Sequence, residues 1–161
     1  MAFDPSPSWR AEVALPAEGD TDALGRRLAA PLGPGDVLLL SGPVGAGKSA
    51  LARALIRARL GDPAAEVPSP TFTLVQTYDL PGGDTLWHAD LYRLSSPAEA
   101  LELGLAQAFE EALCLVEWPD RLGPLAPAGA LRIDLAPDGE GRRATLSGPA
   151  PWAARLGSLH G

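Results

Sequence analysis

The apolar positions fall into two periodicities along the chain. Residues 37–41 and 113–116 read as apolar runs of strand length, the pattern of strands buried on both faces, and the second run ends at Glu117. Between them Leu51, Leu55 and Ala58 recur at helical spacing, which predicts a helix over 48–60, stopped by Gly61-Asp62-Pro63. Upstream, 10–15 predicts a short strand. Asp20 offers an N-cap for a helix over 21–30, in which Leu24 and Leu28 lie one turn apart, and Pro31 and Gly33-Pro34-Gly35 end it. Downstream, 71–80 and 85–90 predict a strand pair joined by the hairpin linker Pro81-Gly82-Gly83-Asp84. Pro97 opens one or two helices running to Ala112. Strands over 131–135 and 142–147 and a helix over 151–159 complete the pattern. Alternating strand and helix signals argue for an α/β fold, and no repeat or linker divides the chain.

Composition narrows the function classes. Hydrophobic residues make up 46% and charged residues 20% of the 161, the balance of a globular chain rather than a disordered one. No apolar run approaches the ~20 residues of a membrane span. Met1 to Arg10 lacks the basic-then-apolar pattern of a signal peptide, so the expected address is cytoplasmic. One cysteine, Cys114, can form neither an internal disulfide nor a Cys-rich zinc site; placed mid-strand, it reads as buried and inert. Thirteen Lys and Arg against twenty Asp and Glu give a net charge of −7, which disfavours binding a nucleic acid by the surface as a whole. Twelve of those thirteen cations are arginine, and asparagine is absent, a drift that leaves Lys48 as the single lysine.

That lysine sits in Gly42-Pro43-Val44-Gly45-Ala46-Gly47-Lys48-Ser49, which fits G-x-x-x-x-G-K-[ST] between a buried strand and a helix. The glycines let successive N–H groups turn inward around phosphate oxygens. The helix aims its unpaired N–H groups at the same place. Lys48 supplies a compact cation for β- and γ-phosphates, and Ser49 a hydroxyl for Mg²⁺. A chain of this composition would match the pattern by chance about once in a thousand, so the alternative, a glycine-rich turn with a surface lysine, must also explain why the lone lysine stands there.

A magnesium–nucleotide site needs carboxylates at neighbouring strand ends. Glu117 closes an apolar strand in the form of a Walker B element, and Asp90 ends 86–90, where it could hold a metal-bound water or orient the attacking one. His88 with Asp90 makes too few ligands for zinc and reads as structural. Thr71, in Ser69-Pro70-Thr71-Phe72, either reaches the γ-phosphate or belongs to a proline-stiffened turn, and residue chemistry alone leans to the turn. Trp118 lines the site or caps the core, with core the simpler reading. Tyr92 and Arg93 stand equally open between site and surface. Arg53 and Arg57 read as a solvated stripe, and Arg142-Arg143 as an exposed strand end.

In combination, the Gly-Pro-Val-Gly-Ala-Gly-Lys-Ser loop, Ser-Pro-Thr-Phe, His88-Ala89-Asp90-Leu91-Tyr92-Arg93-Leu94 and Leu115-Val116-Glu117-Trp118-Pro119 resemble the TsaE family, the bacterial P-loop ATPases of tRNA threonylcarbamoyladenosine biosynthesis. The resemblance covers nearly the whole chain. It implies a single P-loop NTPase-like domain over 1–161, with a mixed, mostly parallel central sheet flanked by helices. It implies slow, partner-coupled hydrolysis of ATP with Mg²⁺ and docking onto TsaD and TsaB, with tRNA met through that complex and neither DNA nor membrane involved. The modified base is the adenosine beside the anticodon of tRNAs reading codons that begin with A. By the same resemblance, Lys48 and the amides of Gly42, Val44, Gly45, Ala46, Gly47, Ser49 and Ala50 bind phosphate, and Ser49 and Glu117 hold the metal. Asp90 is needed for hydrolysis, Thr71 lies in a switch-like loop, and the adenine lies near Ala17 and Gly141-Arg142. One departure stands out: an acid usually follows the first loop glycine, and here Pro43 does, so that position has no N–H to donate.

Two other classes fit a phosphate loop. A small-molecule or nucleotide kinase would need an acceptor pocket and an arginine-bearing lid, for which no segment stands out. A non-hydrolysing nucleotide switch would control a partner by its bound state alone. The absence of N-K-x-D leans the base toward adenine rather than guanine.

Overall fold

The computed structural model describes residues 9–157 and Leu159. The amino-terminal segment read above for targeting signals lies largely outside these residues, as does Ser158 of the expected closing helix. Seven strands, β1 (Trp9–Leu15), β2 (Val37–Ser41), β3 (Val75–Asp79), β4 (Thr85–Asp90), β5 (Leu113–Glu117), β6 (Leu131–Asp138) and β7 (Gly141–Gly148), form one sheet in the order β1-β7-β6-β2-β5-β4-β3. The four central strands β6, β2, β5 and β4 are mutually parallel, while β7 and β3 pair antiparallel to their neighbours. The expected mixed, mostly parallel sheet is therefore present, with its antiparallel pairing at the two flanks.

The continuous apolar runs bury both faces of the central strands. Leu38 and Leu40 of β2 and Leu113 and Leu115 of β5 join one core with Leu24 and Leu28 of α1 (Glu18–Ala29) and Leu51, Leu55 and Ile56 of α2 (Lys48–Leu60). Val37, Leu39, Cys114 and Val116 point the other way, into a second core. There they meet Ala100 of α3 (Pro97–Glu102) and Leu105, Ala108 and Phe109 of α4 (Leu105–Glu111). Helices thus cover both faces, as a parallel sheet requires. Cys114 is fully buried, and loss of solvation pushes its thiol up to about 12.

Several boundaries depart from the sequence reading for local reasons. Helix α1 starts at Glu18, and Asp20 is its third residue rather than its cap: the Asp20 carboxylate accepts the Ala17 N–H at 2.9 Å and covers the helix start from inside. Strand β3 begins at Val75, because Leu74 takes a left-handed conformation (φ 69°) and its N–H bonds to Pro70 O at 2.6 Å, folding 71–74 into a turn. The segment after Pro97 is two helices parted at Gly104, and a 3-10 stretch over Pro119–Leu125 follows β5 unforeseen. The carboxy-terminal helix α5 (Pro151–Leu156) is shorter than expected.

Helices α1 and α2 pack closely because Gly25 has no side chain: a Cβ there would sit 2.6 Å from Ala54 Cβ and 3.0 Å from Leu55 N. We expect Gly25→Val to lower stability in urea denaturation by roughly 1–3 kcal/mol, the usual cost of overpacking. An unchanged midpoint and slope would show that the helix pair parts freely.

Candidate functional site

Parallel topology gathers the polar residues at one end of the sheet. Asp90 and Glu117 are the last residues of β4 and β5 and stand directly opposite each other, while Leu40, one residue before the end of β2, pairs with Glu117 on the other side. Residues 42–47 then carry the chain from β2 into α2. Ligands of open parallel sheets bind outside such carboxyl ends.

The loop is shaped by glycine where no other residue fits. Gly42 (φ 141°) passes so close to β6 that a Cβ would lie 2.3 Å from Leu135 O, and Gly47 (φ 103°) caps α2 in the left-handed region. Among the described residues, the amides of Val44, Gly45, Gly47, Lys48, Ser49 and Ala50 donate to no protein acceptor. Those of Ala46 and Leu51 are engaged, by Pro43 O at 3.0 Å and Gly47 O at 2.9 Å. Ala46, also expected among the phosphate-binding amides, is buried in the loop.

A cleft of about 390 Å³ opens at this point, lined by Val44, Gly45, Gly47, Lys48, Ser49, Ala50, Thr71, Asp90, Tyr92, Glu117, Trp118 and Arg142. Lys48 is only 5% exposed. Its Nζ donates to Gly42 O and, at 3.0 Å, to Pro43 O, and lies 4.3 Å from the centre of the Trp118 ring. Burial lowers the Lys48 pKa from 10.5, and the nearby charges of Glu117 and Asp90 only partly oppose that. Trp118 answers to both readings of the sequence: it packs against the second core and also lines the cleft. Its backbone is left-handed (φ 57°), a costly conformation for a bulky residue, and it swings the indole out beside Tyr92, 4.9 Å away ring to ring.

The acids are tied to hydroxyls on either side. Ser49 Oγ donates to Glu117 Oε1 at 2.9 Å, and the other oxygen, Oε2, meets His88 Nε2 at 2.7 Å. Thr71 Oγ1 donates to Asp90 Oδ2 at 3.2 Å and shares a 2.7 Å hydrogen bond with Ser69 Oγ, while Asp90 Oδ1 accepts the Tyr92 N–H at 3.0 Å. Thr71 thus sits in the turn that the sequence leaned toward and also lines the cleft. Among the described residues no three His, Cys, Asp or Glu side chains form a metal cluster. A hydroxyl beside one carboxylate is nevertheless a hard-oxygen set that suits Mg²⁺ shared with phosphate oxygens.

Ala17 and Gly141 do not reach this cleft. They line a neighbouring pocket of about 160 Å³, and Arg142 belongs to both. Arg142 Nη2 donates to Gly45 O at 3.3 Å, bridging the two spaces. Gly141 also has a packing reason to be glycine, since a Cβ would lie 2.6 Å from Pro16 Cα. Arg93 pairs with neither acid, and its guanidinium lies 5.3 Å from the Phe72 ring. Arg57 is tied to Ala65 O at 2.9 Å rather than freely solvated. The contacts that sequence reasoning missed, His88 on Glu117 and Trp118 under Lys48, depend on register and on one left-handed residue, neither of which spacing reveals.

Comparison with known proteins agrees in one direction. A family model described as "Threonylcarbamoyl adenosine biosynthesis protein TsaE" matches residues 15–145. A Rickettsia bellii protein named "tRNA threonylcarbamoyladenosine biosynthesis protein TsaE" is 38% identical over 124 residues, covering 77% of this chain and 85% of that one. A Mycobacterium tuberculosis protein of the same name is 40% identical over 116 residues, covering 67% and 68%. The solved structure described as "Crystal structure of Bacillus subtilus YdiB" superposes with a TM-score of 0.74 at 26% identity, over 92% of this chain and 91% of that one.

The buried ammonium has a consequence for stability. A lysine pKa below 10.5 in the folded state means that the unfolded chain holds the proton more tightly. Lys48 therefore subtracts stability at neutral pH, and subtracts less as pH climbs from its folded value toward the unfolded one. We expect Lys48→Met to melt at the same temperature as the parent or higher, and to lose that rise with pH. A melting temperature several degrees lower would contradict this.

Proposed function

The chain belongs to the TsaE family, and we propose that it binds magnesium–ATP in the cleft between residues 42–49 and the ends of β4 and β5, hydrolyses it slowly, and thereby serves tRNA threonylcarbamoyladenosine biosynthesis. The observation that carries this reading is the set of six unpaired amides curving around a buried lysine at the start of α2. Such a set favours an anion carrying several oxygens in a row.

In this reading Lys48 exchanges its loop carbonyls for β- and γ-phosphate oxygens, while the amides of Val44, Gly45, Gly47, Lys48, Ser49 and Ala50 cradle the chain of phosphates. Ser49 and Glu117 hold Mg²⁺, which when bound supplies positive charge against the phosphate oxygens. Asp90 accepts a hydrogen bond from the attacking water and orients it, with Thr71 steadying the carboxylate from the other side. Arg142, reaching from the phosphate loop to the pocket of Ala17 and Gly141, leads the nucleotide toward its adenine site. Pro43 contributes a carbonyl to Lys48 and no donor.

The partner part of the reading draws on the surface. Val44 and Phe72 are about 80% exposed (80% and 82%), and Tyr92 is half exposed, so large apolar side chains flank the cleft where a protein partner would cover them. With a net charge of −7, the chain is suited to meeting tRNA through TsaD and TsaB rather than by itself. No helix among the described residues is long and apolar enough to cross a membrane, and we place the activity in the cytoplasm.

The test is ATP binding and turnover measured side by side, with the partner proteins present. Asp90→Asn should keep nucleotide affinity and lose about a hundredfold or more in hydrolysis, whereas Lys48→Ala should weaken binding about tenfold or more. Phosphate delivered to a metabolite rather than to water would favour a kinase, and binding without any turnover would favour a switch. Unchanged binding and turnover in Lys48→Ala would remove the site.

A further inference from the structure

His88 has no place in the mechanism above, yet it is as deeply buried as Glu117 at the edge of the cleft. It lies on β4 opposite Leu115 of β5 and two residues before Asp90, and is 2% exposed. Its Nδ1 has no hydrogen-bond partner among the described residues. Among the described residues, the one polar contact of the ring is Nε2 with Glu117 Oε2, at 2.7 Å. Leu86 and Leu115 join the same apolar core, so a residue chosen for packing alone would be apolar and would leave no ring nitrogen unpaired. What the imidazole adds over leucine is one donor, aimed at one oxygen. Glu117 in turn is 2% exposed and has two side-chain partners, His88 on Oε2 and Ser49 on Oε1. A carboxylate carries no hydrogen, so Nε2 bears the proton in this bond and the ring fixes the rotation of the carboxyl plane. With Oε2 held from behind, Oε1 is presented to Ser49 at the wall of the cleft.

We propose that His88 is a positioning residue that locks the Glu117 carboxylate against Ser49, so that the pair is set to receive a divalent cation before nucleotide arrives; the cation part rests on the magnesium–ATP reading of the cleft. Hydrogen-bonded groups behind a metal-ligating carboxylate govern metal affinity in this way, and their loss typically costs about 10- to 100-fold.

The test uses the full chain with His88→Leu, which keeps bulk without a donor, and His88→Gln, whose side-chain amide can present an N–H near the position of Nε2. Thermal melts establish folding. Binding of a fluorescent, non-hydrolysable ATP analogue is then titrated with and without Mg²⁺. His88→Leu should raise the half-saturating Mg²⁺ concentration about tenfold or more and leave affinity without Mg²⁺ within about twofold, and His88→Gln should recover most of the loss. A half-saturation point unchanged in His88→Leu, or a folded His88→Gln as impaired as the leucine variant, would overturn the proposal. If His88→Leu does not fold, His88→Asn, too short to reach Oε2, replaces it in the same comparison with His88→Gln, and equal Mg²⁺ dependence in the two counts against the role. A wild-type chain that binds no nucleotide would defeat the reading of the cleft separately. The positioning claim is then judged on crystals of His88→Leu: a Glu117 carboxylate turned away from Ser49 upholds it, and a retained Ser49 contact overturns it.

Discussion

An ammonium and two carboxylates are buried together at the carboxyl end of a parallel sheet, and the surrounding structure is arranged to tolerate them. Lys48, Asp90 and Glu117 are each less than a tenth exposed, an expensive placement for charged groups. Every one of them has partners: loop carbonyls and an indole for Lys48, Thr71 and a backbone amide for Asp90, Ser49 and His88 for Glu117. The apolar strands behind them supply the rigidity. Because β2, β4 and β5 end side by side, each contributes its functional residue or loop to one small volume.

Those arrangements cost stability and are retained together. Lys48 is held in surroundings that disfavour its charge, and Leu74 and Trp118 are held in left-handed backbone that bulky side chains avoid. Both strained residues border the acids: the Leu74 carbonyl accepts the Asp90 N–H at 2.9 Å, and Trp118 directly follows Glu117. Strain gathered at the ends of two neighbouring strands is what a site shaped for a ligand shows, because packing alone would have relaxed it. The two cores on either face of the sheet provide the stability that this end gives up.

Much of this was legible in the chain, and the division follows physical range. Local patterns carried far: the apolar runs of β2 and β5, the glycine-lysine-serine loop and the acids closing β4 and β5 all stand where periodicity and motif place them. Features decided by contacts distant in sequence did not. The turn over 71–74 looked like the start of a strand because Thr71, Phe72 and Thr73 have strand propensity, while the hydrogen bond from Thr71 to Asp90, nineteen positions away, draws the segment in. Asp20 looked like a cap because a cap and a third helical residue share the same chemistry. The place of Trp118 depended on one backbone angle, and that of His88 on the β4–β5 register, which puts His88 opposite Leu115 and two pairs short of Glu117. Ala17, Gly141 and Arg142, grouped in advance only by family resemblance, meet in a side pocket because Leu15 pairs with Arg142, a contact that local pattern does not show.

What occupies the curve of amides around Lys48 decides the chemistry of this end of the sheet. Crystals grown with a non-hydrolysable ATP analogue and Mg²⁺ address it directly. We expect phosphate oxygens on the amides between Val44 and Ala50, Lys48 turned from its loop carbonyls onto them, and the cation on Ser49 with Glu117 beside it. An analogue bound elsewhere, or none bound while Lys48 keeps its carbonyl contacts at saturating nucleotide, would contradict it.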